Sequence, residues 1–130
     1  MNLSIIIPVF NESLKINKLI TGLKQYNEQG HEILIIDDGS NDQTYSVLLK
    51  NDFIRLLRLD KNQGKGAALI KGLKNAINEK IVIFDGDLEL NPEEIKKLMI
   101  LDINNGINCV FGTRYKKINP LHSFWDLGNF

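Results

Sequence analysis

The feature that most constrains this chain is a series of short, nearly unbroken apolar runs rich in β-branched residues. Five recur: "LSIIIP" (3–8), "EILIID" (32–37), "FIRLLRL" (53–59), "KIVIFD" (80–85) and "INCVFG" (107–112). A strand with one solvated face alternates polar and apolar residues, whereas a strand covered on both faces does not. Four of the runs are continuous, so both faces of one sheet must be covered. "FIRLLRL" carries Arg55 and Arg58 and is expected nearer an edge. Between the runs lie helical patterns. Ile16, Leu19, Ile20 and Leu23 follow the i, i+3, i+4, i+7 spacing, and Leu69, Ile70, Leu73, Ala76 and Ile77 are expected to form a second buried stripe. Residues 44–50 make a shorter helix. Asn91 as N-cap, Pro92 at the first helical position and Glu94 placed for a capping box open another, with Ile95, Leu98 and Met99 on its buried side. Strand–helix alternation predicts an α/β fold: a doubly wound, mainly parallel sheet with helices on both faces, joined by right-handed crossovers.

In such sheets ligands bind beyond the carboxyl ends of the strands, where the strand order reverses. The polar clusters fall at those ends: "PVFNES", "DDGSND", "DKNQGKG", "DGDLE" and "GTR" follow the five runs in order. Composition narrows the partners. Sixteen basic residues balance sixteen acidic ones, so no global field points to nucleic acid or an anionic membrane. A single cysteine, Cys109, allows neither an internal disulfide nor a cysteine metal cluster, and its apolar surroundings read as core. No stretch approaches a membrane span of about 18 apolar residues. "SIIIPVF" reads as a first strand and not a signal peptide, and the expected location is cytoplasmic. Residues 112–130 contain Phe124, Trp125, Leu127 and Phe130 with no completed pattern, as a partial sequence would.

The most telling cluster is "IVIFDGDLEL" (81–90), an apolar run ending in Asp85-Gly86-Asp87 with Glu89 beyond. Residues two apart on an extended chain project the same way, roughly 6.6 Å apart, and Gly86 lets the backbone turn so that both carboxylates approach one cation. Oxygen donors suit a hard divalent ion, Mg²⁺ or Mn²⁺, with Glu89 as an additional ligand. The bland alternative is a turn whose aspartates bond nearby amides. Asp38 in "DDGSND" could accept from a nucleobase N–H, while Asn41 or Asp42 caps the next helix. Lys65 in "NQGKGAA" stands at a helix start, where amides and an ammonium favour phosphate, although a solvated lysine is the simpler reading. Arg114 is ambiguous alone. His31 reads as a surface residue, and no Ser/His/Asp or Cys/His set suggests nucleophilic catalysis.

Together "LSIIIPVFNES", "EILIIDDGSNDQT", "NQGKGAALIKGL", "VIFDGDLELNPEEI" and "FGTRY" stand in the order and rough spacing of inverting GT-A glycosyltransferases. The chain most resembles their dolichyl-phosphate mannose synthase and polyprenyl-phosphate glycosyltransferase branch, over residues 3–115. The resemblance implies a Rossmann-like GT-A core at 1–115 that binds a nucleotide-diphosphate sugar, with 116–130 beginning an acceptor-side region. Pro8, Phe10, Asn11 and Glu12 would border the nucleoside, Asp38 would bond its base, and Lys65 would lie near the base or diphosphate. Asp85, Gly86 and Asp87 would form the metal motif, Asp87 being the more direct ligand, and Arg114 would face the phosphate or acceptor. The branch usually has Gln where this chain has Glu89. The implied reaction is metal-dependent transfer of a hexose, with inversion, from a GDP- or UDP-sugar to a polyprenyl or dolichyl phosphate. Peripheral membrane contact would come through a further C-terminal part. Two other readings stand beside it: transfer to a saccharide or cell-surface polymer, and a non-catalytic nucleotide-binding module.

Overall fold

The computed structural model describes residues 2–89 and 91–99. The expected fifth strand at 107–112, Cys109, Arg114 and residues 116–130 lie outside them. Two compact units divide the chain at Met1–Ile95 and Lys96–Phe130, and the fold below is that of the first.

Four parallel strands form the sheet: β1 (Ser4–Val9), β2 (Glu32–Asp37), β3 (Ile54–Arg58) and β4 (Ile81–Ile83). Their spatial order is β3-β2-β1-β4. Helices α1 (Ile16–Glu28), α2 (Thr44–Leu49) and α3 (Lys65–Asn75) connect them, and a 3₁₀ turn (Pro92–Glu94) leads into α4 (Ile95–Leu98). The first two crossovers run one way along the sheet and the third runs back past β1. With right-handed crossovers, α1 and α2 therefore cover one face and α3 the other. Every residue of β1 is buried, as the unbroken apolar run requires. The reversal of strand order lies between β1 and β4.

Helix α3 packs differently from the expectation. Ala68 and Gly72 face the sheet, and Ile70, Leu73 and Ile77 are 56, 49 and 72% exposed. The reason is close approach. A Cβ at Gly72 would sit 2.6 Å from Ile6 Cγ2 and 2.7 Å from Ile36 Cδ1, so only a small residue lets the helix lie this near the strands. Ile6, Leu34, Ile36, Leu59 and Ala68 form the core on that side.

The amino ends of the strands are tied by a polar knot. Glu32 Oε1 accepts from Ser4 Oγ at 2.6 Å and from the Ile77 amide at 3.1 Å, while Arg55 pairs with Glu32 Oε2 at 3.0 Å. Ser4 Oγ also accepts from the Asn78 amide, fixing the α3–β4 connection beneath the sheet. Burial pushes the Glu32 carboxyl up, but the bonds from Ser4, Ile77 and Arg55 outweigh it, and the net direction is down. His31 is half-buried, not a plain surface residue: its Nδ1 accepts from the Leu3 amide at 3.1 Å.

Candidate active site

At the carboxyl end of β1 the chain turns through Phe10 and Asn11, the latter in the left-handed region at φ 50°. Four bonds sew this loop to the one after β2. The Asn11 amide donates to Ser40 Oγ at 2.8 Å, the Glu12 amide to Thr44 Oγ1 at 2.8 Å and the Ser13 amide to Asp42 Oδ2 at 3.3 Å. Asn11 Oδ1 in return accepts from the Asn41 amide at 3.0 Å. Asp42 also accepts from the Thr44 amide at 2.8 Å, as the expected helix cap. Sequence spacing did not show this ladder, because its partners are about thirty residues apart.

The second loop is fastened to a third. Asp38 is 3% exposed, and its carboxylate accepts from the Gln63 amide (2.8 Å), the Gly64 amide (2.9 Å) and Asn62 Nδ2 (3.1 Å). Gly39, at φ 72°, allows this contact, since a Cβ there would meet the Lys61 and Asn62 backbone at 2.5–2.8 Å. Asp38 thereby fixes the residues preceding Lys65, the first of α3. No side chain caps that helix end, which opens on Gly64 at φ 96°. Beneath the loop, buried Asp37 pairs with Arg58 Nε at 3.2 Å, and the guanidinium lies 4.1 Å from the Tyr45 ring centroid.

The Asp85-Gly86-Asp87 turn sits across the strand-order reversal from Pro8 and Phe10. Gly86 is buried against β1: a Cβ would lie 2.6 Å from Val9 Cγ1 and 3.1 Å from the Pro8 carbonyl oxygen. Asp87 Oδ1 accepts from the Glu89 amide at 3.0 Å, so the turn reading of the motif holds for Asp87. Lys15 Nζ donates to the Asp87 carbonyl at 3.1 Å, and Lys65 Nζ pairs with Asp85 Oδ2. Further along, Tyr26 Oη donates to the Pro92 carbonyl at 2.6 Å, and Pro92 packs on Gly22 of α1, anchoring the segment beyond the turn.

The structure thus gathers Pro8, Phe10, Asn11, Glu12, Lys65, Asp85, Gly86 and Asp87 at one rim, with Asp38 in the loop support beside them. Arg114 lies outside the described residues. Among the described residues no three carboxylate, histidine or cysteine side chains converge to hold a metal, so Glu89 does not join Asp85 and Asp87 in a three-carboxylate cluster. The charges nevertheless favour a cation. The Glu12 carboxyl is raised above its ordinary value, first by burial and then by Asp87, Asp85 and Asp42, with Lys15 opposing. Glu12 thus feels Asp42, Asp85 and Asp87 against the ammonium of Lys15, and Lys65 is paired with Asp85. Mg²⁺ is held through one or two carboxylates with phosphate oxygens and water, and the Asp85 and Asp87 oxygens fit that donor set.

The glycosyl transferase family 2 model matches residues 4–129. The chain belongs to this family. It is 34% identical over 121 residues to a dolichol-phosphate mannosyltransferase of Pyrococcus furiosus, covering 90% of this chain and 34% of that protein. Among solved structures, Staphylococcus aureus TarS (residues 1–349) superposes with a TM-score of 0.64 at 28% identity, over 75% of this chain and 31% of the other. A mannosyltransferase of Pyrobaculum calidifontis in complex with GDP-Man and Mn²⁺ superposes with a TM-score of 0.60 at 26% identity, over 65% and 27%. These neighbours share the GT-A, Rossmann-like fold of this chain. The chain spans about a third to a half of the length of the curated relatives it matches. Among the described residues, no helix is long and apolar enough to cross a membrane.

Proposed function

We propose that this chain is the donor-binding part of an inverting, metal-dependent glycosyltransferase that moves a hexose from a GDP- or UDP-sugar to a polyprenyl or dolichyl phosphate. The observation that carries the reading is the seat of the Asp85-Gly86-Asp87 turn, packed on Pro8 and Val9 where the strand order reverses. The Pyrobaculum mannosyltransferase, with GDP-Man and Mn²⁺, and the dolichol-phosphate mannosyltransferase relative support the donor, metal and acceptor classes.

The half-exposed Phe10 offers apolar surface to a nucleoside, flanked by Asn11 and Glu12, while Pro8 is buried in β1. Asp38, expected to bond the base, has its carboxylate taken up by Asn62, Gln63 and Gly64, and it holds the loop that leads to Lys65. The open amino end of α3 and the Lys65 ammonium face a diphosphate, for which free amides and a positive charge are suited. Asp85 and Asp87 would hold Mg²⁺ or Mn²⁺, which when bound supplies Lewis-acid stabilisation of charge on the departing diphosphate. The acceptor attacks the anomeric carbon from the face opposite that leaving group. A phosphate acceptor is ionised at pH 7 and needs no general base, whereas a sugar hydroxyl does. Arg114 is assigned to the phosphate or acceptor side. Membrane association would come through the lipid acceptor, and the chain is assigned to the cytoplasm.

Calorimetry with GDP and UDP, with and without Mn²⁺, tests the reading. Binding should require the ion and fall at least tenfold (about 1.4 kcal/mol) in Asp87→Ala. Nucleotide binding indifferent to a chelator contradicts the metal role. Donor turnover on a short polyprenyl phosphate but not on free sugars supports the lipid acceptor, and the reverse supports a saccharide. Tight binding without turnover on either supports a non-catalytic module.

A further inference from the structure

We infer that Lys65 is the resident counter-ion of the metal site: its ammonium occupies the Asp85 carboxylate until a divalent ion takes that carboxylate, and the displaced lysine then turns to the donor's diphosphate. This rests on the donor-binding reading above.

Three observations lead here. Lys65 Nζ is paired with Asp85 Oδ2, an oxygen that would also serve a metal. An ammonium and a divalent ion repel each other, so they compete for Asp85 Oδ2. Second, the pair is weakly held. The side chains are 53% and 32% exposed, and an exposed ion pair is worth only about 0.2–1 kcal/mol. A divalent ion bridging two carboxylates and a diphosphate easily outweighs that. Third, the lysine has a fixed pivot. Asp38 pins the amides of Gln63 and Gly64, and Lys65 opens α3, so only its flexible stem needs to move. Lys15 Nζ is directed to the Asp87 carbonyl and not to a side-chain carboxylate. Without a metal, Lys65 offsets the negative charge of Asp85.

Competition has a signature that a static structural lysine lacks: one substitution shifts two affinities in opposite directions. In Lys65→Met, Mn²⁺ alone should bind about two- to fivefold tighter, the equivalent of losing an exposed ion-pair competitor. Binding of GDP or UDP in saturating Mn²⁺ should weaken by about tenfold. Free Mn²⁺ is read directly by electron paramagnetic resonance, and nucleotide binding by calorimetry, so neither readout is activity. Lys65→Gln should behave alike, which separates charge from packing. Unchanged Mn²⁺ affinity in both variants overturns the competition, as does a shift of both affinities in the same direction. Asp87→Asn distinguishes the failures. If Asp87→Asn loses Mn²⁺ while Lys65→Met leaves it unchanged, only the handover falls. If Asp87→Asn binds Mn²⁺ like the wild type, the metal reading falls with it.

Discussion

Gly86→Ala tests whether the acidic turn is placed by contact with β1. The added methyl would lie 2.6 Å from Val9 Cγ1, 3.1 Å from the Pro8 carbonyl oxygen and 3.3 Å from Ile7 Cγ2. The first distance is far inside van der Waals contact, and Pro8 and Val9 belong to a fully buried strand that cannot move freely. Overpacking of this kind costs about 1–3 kcal/mol. Replacing Gly by Ala recovers about 0.4–1 kcal/mol through the unfolded chain. The net destabilisation lies between about 0 and 2.6 kcal/mol and centres on about 1.3 kcal/mol, or a Tm lowered by about 4–6 °C for a chain of this length. Because the turn must lift off β1, Asp85 and Asp87 shift together and Mn²⁺ affinity should drop several-fold. Gly66→Ala is the matched control. It lies on α3 at the same rim, a Cβ there meets nothing within 4 Å, and the change should stabilise by up to about 1 kcal/mol. Circular dichroism melts and Mn²⁺ titration check both. A Gly86→Ala protein with wild-type Tm and wild-type Mn²⁺ affinity would refute the contact argument.

Other outcomes follow from the loop contacts. Asp38→Asn replaces one acceptor oxygen with an NH₂ donor facing amide donors and should cost about 1–3 kcal/mol, with hydrogen-exchange protection lost first at Gln63 and Gly64. Arg58→Met leaves Asp37 buried with one oxygen, Oδ1, already lacking a partner. Since Arg58 is partly exposed, the expected loss is about 2–3 kcal/mol, below the range for fully buried pairs, and urea titration measures it. Burial holds the His31 imidazole below its usual pKa, so the unfolded chain binds the proton more readily than the folded one. Its contribution to stability is full above pH 6.5 and declines as the pH falls toward the folded-state value. The Tm of wild type should therefore fall more between pH 7.5 and 5.5 than that of His31→Gln, which keeps an acceptor for the Leu3 amide but cannot take up a proton.

Where each element lies was largely legible because continuous apolar runs and polar strand ends follow from burial alone. The four described strands fall within a residue or two of the runs that announced them, and the clusters after three of them meet at one rim. What the pattern misjudged was α3. Ile70, Leu73 and Ile77 were assigned to the core, whereas closeness to the sheet favours small residues, and the four-residue spacing of Ala68 and Gly72 carried that signal. Leu69 and Ala76 do pack partly buried against that core. Arg58 read simply as an edge residue, yet Asp37 and Arg58 are register partners on adjacent strands, a pairing visible only once the register is known. The ladder between residues 11–13 and 40–44, the grip of Asp38 on 62–64 and the reach of Lys15 to Asp87 all join distant loops. None has a local sequence signature.

The knot of Glu32, Ser4, Arg55 and Asn78 lies at the pole of the sheet opposite the ligand rim. It works as a buckle: the strands are clasped where no chemistry happens, and the far margin is released from that duty. Insertions or exchanges in the rim loops would therefore leave the scaffold threaded.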